Sequence, residues 1–356
     1  MSGPSRIAVV LFNLGGPDKL ESVRPFLLNL FTDPAILRVP FFIRPVLARI
    51  IARARTAPAT ANYELLGGRS PLLELTREQA EALQGALREI MPGVTAQCFI
   101  AMRYWHPFSL EAAREVAAFK PDHVVLLPLY PQYSTTTSGS SLTAWREAAA
   151  QTGLVCPTTT LCCWYEEPGF AEATAAIIRT AYQKARAELA PEVQLRLLFS
   201  AHGLPEVIVR KGDPYQFQVE RSAAALVKVL DLPALDWSIC YQSRATPQQW
   251  LEPSTEAAID KAIEDKVAVL IAPVAFVSDH SETLVELDVE YAEIAHEKGI
   301  AGYFRVPAQN SDTGFISALA GVIGGAVAQG PGLVRATGCA ACPAAHRDCP
   351  HRRAAA

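Results

Sequence analysis

The chain of 356 residues contains no uninterrupted apolar run near the ~18 residues that a membrane-spanning helix needs, so no segment reads as a span. It also lacks a basic excess. Its 32 Lys and Arg stand against 36 Asp and Glu, a formal net charge of −4, and no basic stripe is interleaved with aromatics. That excludes a general attraction to nucleic acid. The opening residues, Met1-Ser-Gly-Pro-Ser-Arg-Ile7, lack the basic head, apolar core and small-residue cleavage site of a secretory leader, so a cytoplasmic location is expected. What is present is apolar: 50% of the residues, against 19% charged. This is the composition of a packed globule, and the length suits about two α/β domains.

The apolar residues come in short runs, each ending in a loop rich in Gly, Pro, Ser or Asn. Ile7–Phe12 precedes Asn13-Leu14-Gly15-Gly16-Pro17, Thr95–Met102 precedes Arg103-Tyr104, and His123–Leu129 precedes Tyr130-Pro131. Leu195–Phe199, Trp237–Tyr241 and Val267–Phe276 repeat the form in the second half. Helical patterns lie between them, as at Leu75–Met91 and Phe170–Leu189. Strands alternating with helices predict an α/β fold with parallel sheets, and continuous apolar strands suit sheets covered on both faces. The likeness of VVLFNLGGP to LRLLFSAHGLP hints at two similar halves, with a boundary near 155–175.

Two loops carry the chemistry. Ser200-Ala201-His202-Gly203-Leu204-Pro205 places a histidine where a buried strand runs out, the edge at which open α/β sheets bind ligands. Ser278-Asp279-His280-Ser281-Glu282-Thr283-Leu284-Val285-Glu286-Leu287-Asp288-Val289-Glu290-Tyr291 follows another buried strand. Glu282, Glu286 and Glu290 stand at i, i+4 and i+8, so a helix would stack them along one face. Ser278 or Asp279 is the expected N-cap. The segment contains no Lys or Arg to offset its acids. An imidazole that takes protons near pH 7, beside crowded carboxylates, suits proton transfer and a hydrated divalent metal.

Two further stretches stand apart. Val39–Arg53 is apolar with Arg44, Arg49 and Arg53 interspersed, and after Pro45 it allows an amphipathic helix, either a core element or an interfacial one. Eight cysteines in such a chain argue for buried, metal-binding or catalytic thiols rather than a disulfide framework. Cys339, Cys342 and Cys349 form C-x2-C-x6-C with His346 and His351 nearby. That tail allows zinc with a histidine, or a two-iron, two-sulfur cluster with an internal cysteine. Cys98 and Cys240 lie inside apolar strands and read as structural.

With these residues in view, the chain resembles the ferrochelatases from about residue 6 to 325. The resemblance rests on LFNLGGP (Leu11–Pro17), Gly67-Gly68-Arg69-Ser70-Pro71, MRYWHP (Met102–Pro107), PLYPQYSTTTSGSS (Pro128–Ser141), SAHGLP (Ser200–Pro205), the Tyr241–Pro253 stretch and SDHSETLVELDVEY (Ser278–Tyr291), all in the family's order. It implies two similar Rossmann-like domains with a porphyrin cleft between them: 1–160 with an apolar lip at about 39–53, 161–329 with the catalytic histidine, and a Cys-rich extension at 330–356. It implies insertion of ferrous iron into protoporphyrin IX to give protohaem. His202 and Glu282 would be catalytic, His202 acting as base or metal carrier, and Glu286 and Glu290 would continue a metal and proton path. Asn13, Leu14, Arg55, Tyr63, Ser70, Arg103, Tyr104, Trp250 and His280 would line the porphyrin site, the arginines suiting propionates. Members with a C-terminal cysteine tail imply a 2Fe–2S cluster on Cys339, Cys342 and Cys349, completed by Cys156, Cys162 or Cys163. The lip implies peripheral attachment to a membrane surface by a monomer or homodimer. Arg244-Ala245-Thr246-Pro247 departs from the family's usual Lys-Val-Gly-Pro. The alternatives are a chelatase for another tetrapyrrole or metal (coproporphyrin, cobalt or nickel) and a non-catalytic haem or iron-sulfur protein.

Overall fold

The structure is a computed structural model that describes residues 4–244 and 248–354. The first three residues and positions 245–247 of the Arg244–Pro247 departure lie outside the described residues. The chain divides into two compact units, one of residues 1–163 and 319–336, the other of 164–318 and 337–356. The division is discontinuous, unlike the three consecutive segments expected from sequence. The stretch 319–336 belongs to the first unit, and the cysteine tail belongs to the second.

The first unit runs β1 (Arg6–Asn13), α1 (Val23–Thr32), α2 (Arg44–Leu65), α3 (Leu72–Ile90), β2 (Thr95–Met102), α4 (Ser109–Phe119), β3 (His123–Pro128), α5 (Ser138–Thr152) and β4 (Thr158–Leu161). The second runs α6 (Pro168–Glu188), β5 (Leu195–His202), α7 (Glu206–Arg210), α8 (Tyr215–Leu230), β6 (Trp237–Gln242), α9 (Thr255–Glu264), β7 (Ala268–Pro273), α10 (Ser281–Leu284), a π-helical turn at Glu286–Glu290, α11 (Tyr291–Glu297) and β8 (Tyr303–Arg305). There follow α12 (Thr313–Gln329), β9 (Gly332–Val334) in the first unit's sheet, and α13 (Pro350–Arg353).

Both sheets are wholly parallel. Their strand orders are β2-β1-β3-β4-β9 and β6-β5-β7-β8. The central strands are apolar at nearly every position because helices cover both faces. Ile7 to Phe12 and Leu197 to Phe199 are fully buried. Leu197 and Phe199 pack on one face of the second sheet with Tyr215, Val219 and Ala223, while Leu198 packs on the other with Ile259 and Leu287. Opposite faces bury alternate side chains, so a strand of this kind shows no polar alternation in sequence.

The connections explain where ligands bind. From β1 the chain crosses to β2 on one side and later to β3 on the other, and β5, β6 and β7 repeat this pattern. Each first strand therefore borders a topological switch point, where the loops at the carboxyl ends diverge and leave a crevice. Asn13 ends β1, and His202 ends β5.

Two sequence expectations need correction. The acidic segment is not one α-helix: it is a single turn, α10, followed by a π-helical turn in which the Glu290 N–H reaches back to the Val285 carbonyl. Its N-cap is His280, whose backbone N–H donates to Thr283 Oγ1 at 3.0 Å, not Ser278 or Asp279. Helix α2 does begin beside Pro45, but it buries only Ala48, Ala52 and Tyr63. Phe41 (79% exposed), Phe42 (68%), Ile43, Val46 and Ile50 face outward, so this stretch is not a core helix. No helix among the described residues is long and apolar enough to cross a membrane.

Candidate active site

The switch point of the second sheet gathers the titratable groups. His202 leaves β5 in register with Gln242 of β6, and the Gly203 N–H donates to the Gln242 carbonyl at 2.7 Å. Gly203 is required here, since a Cβ would meet that carbonyl at 2.9 Å and the Trp250 ring at 3.3 Å. The imidazole Nδ1 lies 2.7 Å from the Gly203 carbonyl. A carbonyl only accepts, so Nδ1 carries the proton and Nε2 keeps its lone pair. Nε2 is 3.7 Å from Glu282 Oε1. The basic nitrogen is thus aimed at the acid, and the imidazole is partly exposed.

Glu282 sits between two imidazoles, with His280 Nε2 at 3.8 Å from Oε2. Both separations are those of ion pairs rather than hydrogen bonds, and Oε2 has no hydrogen-bond partner. Burial pushes this carboxyl up, but positive charge on His202 and then on His280 outweighs it and holds the group down at about 2. That depression lasts only while the imidazoles are protonated. His280 Nδ1 is buried with no partner, and its ring centre lies 4.6 Å from that of Phe276, the two planes tilted by 59°.

Glu286 is the next acid. Its Oε2 accepts from Gln242 Nε2 at 2.9 Å and Ser243 Oγ at 2.5 Å, and its Oε1 accepts from the Tyr291 hydroxyl at 3.2 Å. Burial pushes its carboxyl up, and the neighbouring Glu282 charge adds to the rise. Gln242 is fully buried and fixes both acids. Its Oε1 accepts from Ser200, and its Nε2 also donates to the Glu282 carbonyl at 2.8 Å. Sequence reading overlooked Gln242, although it lies within a quoted motif. The structure therefore brings together His202, His280, Glu282 and Glu286. Glu290 is exposed, one turn further on.

Trp250 is buried and bridges to Pro205 beyond β5, which makes it a wall behind Gly203. In the first unit, Asn13 spends its side chain on the strand exit: Nδ2 donates to Thr76 Oγ1 at 3.2 Å, and Oδ1 accepts from the Leu14 N–H. The Arg103 and Tyr104 N–H groups donate to the Asn13 and Leu14 carbonyls at 2.9 Å. Tyr63 and Ser70 are buried beside Gly16, where a Cβ would collide with Ser70. Arg55 is exposed on α2.

Asp33 is a residue the sequence gave no reason to single out. It is buried after α1, and its Oδ2 accepts from Arg103 Nη2 and the Tyr104 hydroxyl, both at 2.8 Å, and from Ser140. Its Oδ1 accepts from the Ala35 N–H. Arg103 is held in turn by Ser140 at 2.6 Å. Two of the arginine's donor positions are thus committed before any ligand arrives.

The tail cysteines are buried. The Cys339 sulfur accepts from the Glu166 N–H at 3.4 Å, and the Cys342 sulfur from Gln218 Nε2 at 3.2 Å. Cys162 and Cys163 are buried with sulfurs 3.5 Å apart, and Cys156 lies 3.4 Å from the Pro121 carbonyl. Desolvation pushes the Cys98 thiol up to about 12 and the Cys240 thiol to about 11, the behaviour of structural cysteines. Among the described residues no three His, Cys, Asp or Glu side chains are grouped so as to hold a metal ion, either in the tail or at Glu282.

Two parallel sheets, with a histidine and acids at one switch point, place the chain among α/β proteins of the chelatase fold. SirB from Bacillus subtilis, solved with Fe3+, is similar at a TM-score of 0.51 and 10% identity, covering 91% of this chain and 96% of that one. The sequence is more specific. The family model for ferrochelatase matches residues 6–326. A protein named ferrochelatase from Caulobacter vibrioides is 52% identical over 350 residues, spanning 98% of this chain and 99% of its own. Another from Phenylobacterium zucineum is 50% identical over 350 residues, with 97% of each chain covered. This chain belongs to the ferrochelatase family.

Proposed function

We propose that this chain inserts ferrous iron into protoporphyrin IX to give protohaem, as a metal-inserting lyase. Two pyrrole N–H protons leave the ring for each Fe2+ that enters. The observation that supports the residue assignment is the His202 tautomer: Nδ1–H is held by the Gly203 carbonyl, and the free Nε2 lies 3.7 Å from Glu282. In this reading Nε2 takes a pyrrole proton, and Glu282 stabilises the imidazolium that forms. Glu286, whose carboxyl is pushed up, is the next proton acceptor, and exposed Glu290 leads to solvent. The same nitrogen and carboxylate oxygens are donors that Fe2+, as substrate, can use on its way in. Asn13, Leu14, Tyr63 and Tyr104 of the first unit, and Trp250 and His280 of the second, are the further residues assigned to porphyrin contact. Arg55, Ser70 and Arg103 offer the donors propionates need.

The test is an anaerobic assay with Fe2+ and protoporphyrin, read by visible absorbance, with sirohydrochlorin as comparator. His202→Ala should lose about 10³-fold or more in turnover and keep its porphyrin affinity. Undiminished turnover in that variant, or preference for sirohydrochlorin, would overturn the reading.

We infer two finer features. Cys339, Cys342 and Cys349, with Cys156, Cys162 or Cys163 as fourth ligand, would hold a 2Fe–2S cluster: the three tail thiols are buried and two of their sulfurs receive N–H donors, but the described residues do not group three of them around one centre, so the tail would have to draw together on loading. Such a cluster supplies one-electron chemistry, which metal insertion does not use. Purified protein with no visible absorbance would exclude it. Phe41, Phe42, Ile43, Val46 and Ile50, exposed beside Arg49 and Arg53, support peripheral docking on an anionic cytoplasmic membrane face. Loss of binding to anionic vesicles in a Phe41→Ser, Phe42→Ser double variant is expected. Absence of vesicle binding by the unaltered protein would sink the idea.

A further inference from the structure

The segment from Asp279 to Glu290 carries five carboxylates, at 279, 282, 286, 288 and 290, and no Lys or Arg. Acids crowded in this way repel one another and disfavour the turn that holds them. The compensating charge comes from another element. Arg305, at the end of edge strand β8, is nearly buried and extends to both ends of the segment. Its Nη1 donates to Asp279 Oδ1 at 2.9 Å, just before α10, and its Nε donates to Asp288 Oδ1 inside the π-helical turn. Between those two anchors lie Glu282 and Glu286.

The anchor is itself fixed on several sides. Arg305 pairs in register with Ile271 of β7, the strand from which the segment departs. Its Nη1 also donates to the Val306 carbonyl at 3.2 Å. Asp279 is held from its other side by Asn310: Nδ2 donates to Asp279 Oδ2, and the Asp279 N–H donates to Asn310 Oδ1, both at 2.9 Å. Two residues before Arg305, the Tyr303 hydroxyl donates to the Leu287 carbonyl in the π-helical turn. Strand β8 thus holds the turn by a side-chain fork and a hydroxyl. No other Lys or Arg among the described residues forms an ion pair with Asp279 or Asp288.

We propose that Arg305 is a positioning residue for metal insertion. By bridging Asp279 and Asp288 it sets the spacing of Glu282 and Glu286 from His202 without touching substrate. The inference rests on the assignment of those acids given above. A planar guanidinium addresses two carboxylates at fixed directions, whereas an ammonium is one point charge on a flexible stem. Lysine at this position therefore keeps the charge and loses the bridge. Displacement of reacting groups by an ångström is costly for rate and nearly silent for binding of a large apolar ring.

Three measurements on the full-length protein test this: steady-state insertion of Fe2+ into protoporphyrin, porphyrin affinity by fluorescence, and amide hydrogen exchange. Arg305→Gln is expected to lower kcat about tenfold while the porphyrin KM stays within about twofold. Exchange should quicken in residues 281–290 and not in β5. Arg305→Lys should recover only part of the rate. Asp288→Asn, at a half-exposed position that tolerates the change, should lower kcat about threefold. Combining it with Arg305→Gln should add little beyond the arginine change alone, because both remove one bridge. Wild-type kcat in Arg305→Gln overturns the proposal. If that variant does not fold, Asp288→Asn decides: wild-type kcat and unaltered exchange overturn it equally. An active His202→Ala would instead strike at the site assignment. An inactive His202→Ala with a fully active Arg305→Gln would remove the positioning role alone.

Discussion

Two carboxylates, Asp33 buried and Glu282 half-buried, occupy comparable places in the two units, and they are treated in opposite ways. Asp33, near the carboxyl edge of the first sheet, accepts hydrogen bonds from a backbone N–H, a guanidinium, a phenol and a serine. Glu282, at the edge of the second sheet, has two imidazoles at 3.7 and 3.8 Å and one oxygen with no hydrogen bond. The cation beside Asp33 is permanent, because a guanidinium does not give up its proton in proteins. The cations beside Glu282 exist only while imidazoles are protonated. The same scaffold thus builds one acid as a fixed anchor and another whose surroundings change with each proton. In the proposed mechanism the reacting carboxylate is the one whose donors are few and whose neighbouring charge is removable.

The sharpest way to break this comparison is to remove the charge from each acid in turn. Glu282→Gln should cut turnover by about 10²–10⁴-fold and leave folding largely intact, since few hydrogen bonds are lost. Asp33→Asn should do the reverse. It leaves the Arg103 guanidinium uncompensated and demands that a neutral amide oxygen satisfy three donors, which should cost about 3 kcal/mol in denaturant unfolding. Residual turnover in Asp33→Asn should stay above that of Glu282→Gln. Equal losses of stability in the two variants, or a Glu282→Gln enzyme with normal rate, would erase the distinction.

Much of this was visible in the residues alone, and what was missed was missed for physical reasons. β1, β5 and β7 declared themselves because strands covered on both faces are continuously apolar and end in Gly- or Pro-containing loops. β4, β8 and β9 did not, because strands of three or four residues such as Thr158–Leu161, Tyr303–Arg305 and Gly332–Val334 are too short to carry a period. His202 and Glu282 stood out as loop residues following such strands. The π-helical turn did not, since i, i+4 spacing fits an α-helix as well and no residue type marks the extra residue in the ring. Asp33 and Arg305 were hidden because their partners are distant in sequence, 70 residues away for Arg103 and 26 for Asp279. Spacing rules read neighbours along an element, whereas these charges are neutralised across the fold.

The subtlest effect should come from Glu286, which stands between the two extremes. Three protein donors satisfy it, like Asp33, yet burial and the Glu282 charge push its carboxyl up. The folded protein therefore holds this proton to higher pH than the unfolded chain, whose glutamates titrate near ~4.3. By linkage, stability declines as pH rises from that value through the raised folded one, and the deficit persists above it. Glutamine removes the deficit without losing the contacts: its oxygen can face Gln242 and Ser243, and its NH2 can donate to the Tyr291 hydroxyl oxygen. Glu286→Gln should thus raise Tm by about 1–3 °C at pH 7, with no gain at pH 4, and slow turnover about tenfold by removing the second proton acceptor. A variant less stable than the parent at pH 7 would mean that Glu286 is an anchor of the Asp33 kind. Unaltered turnover would confine proton movement to His202 and Glu282.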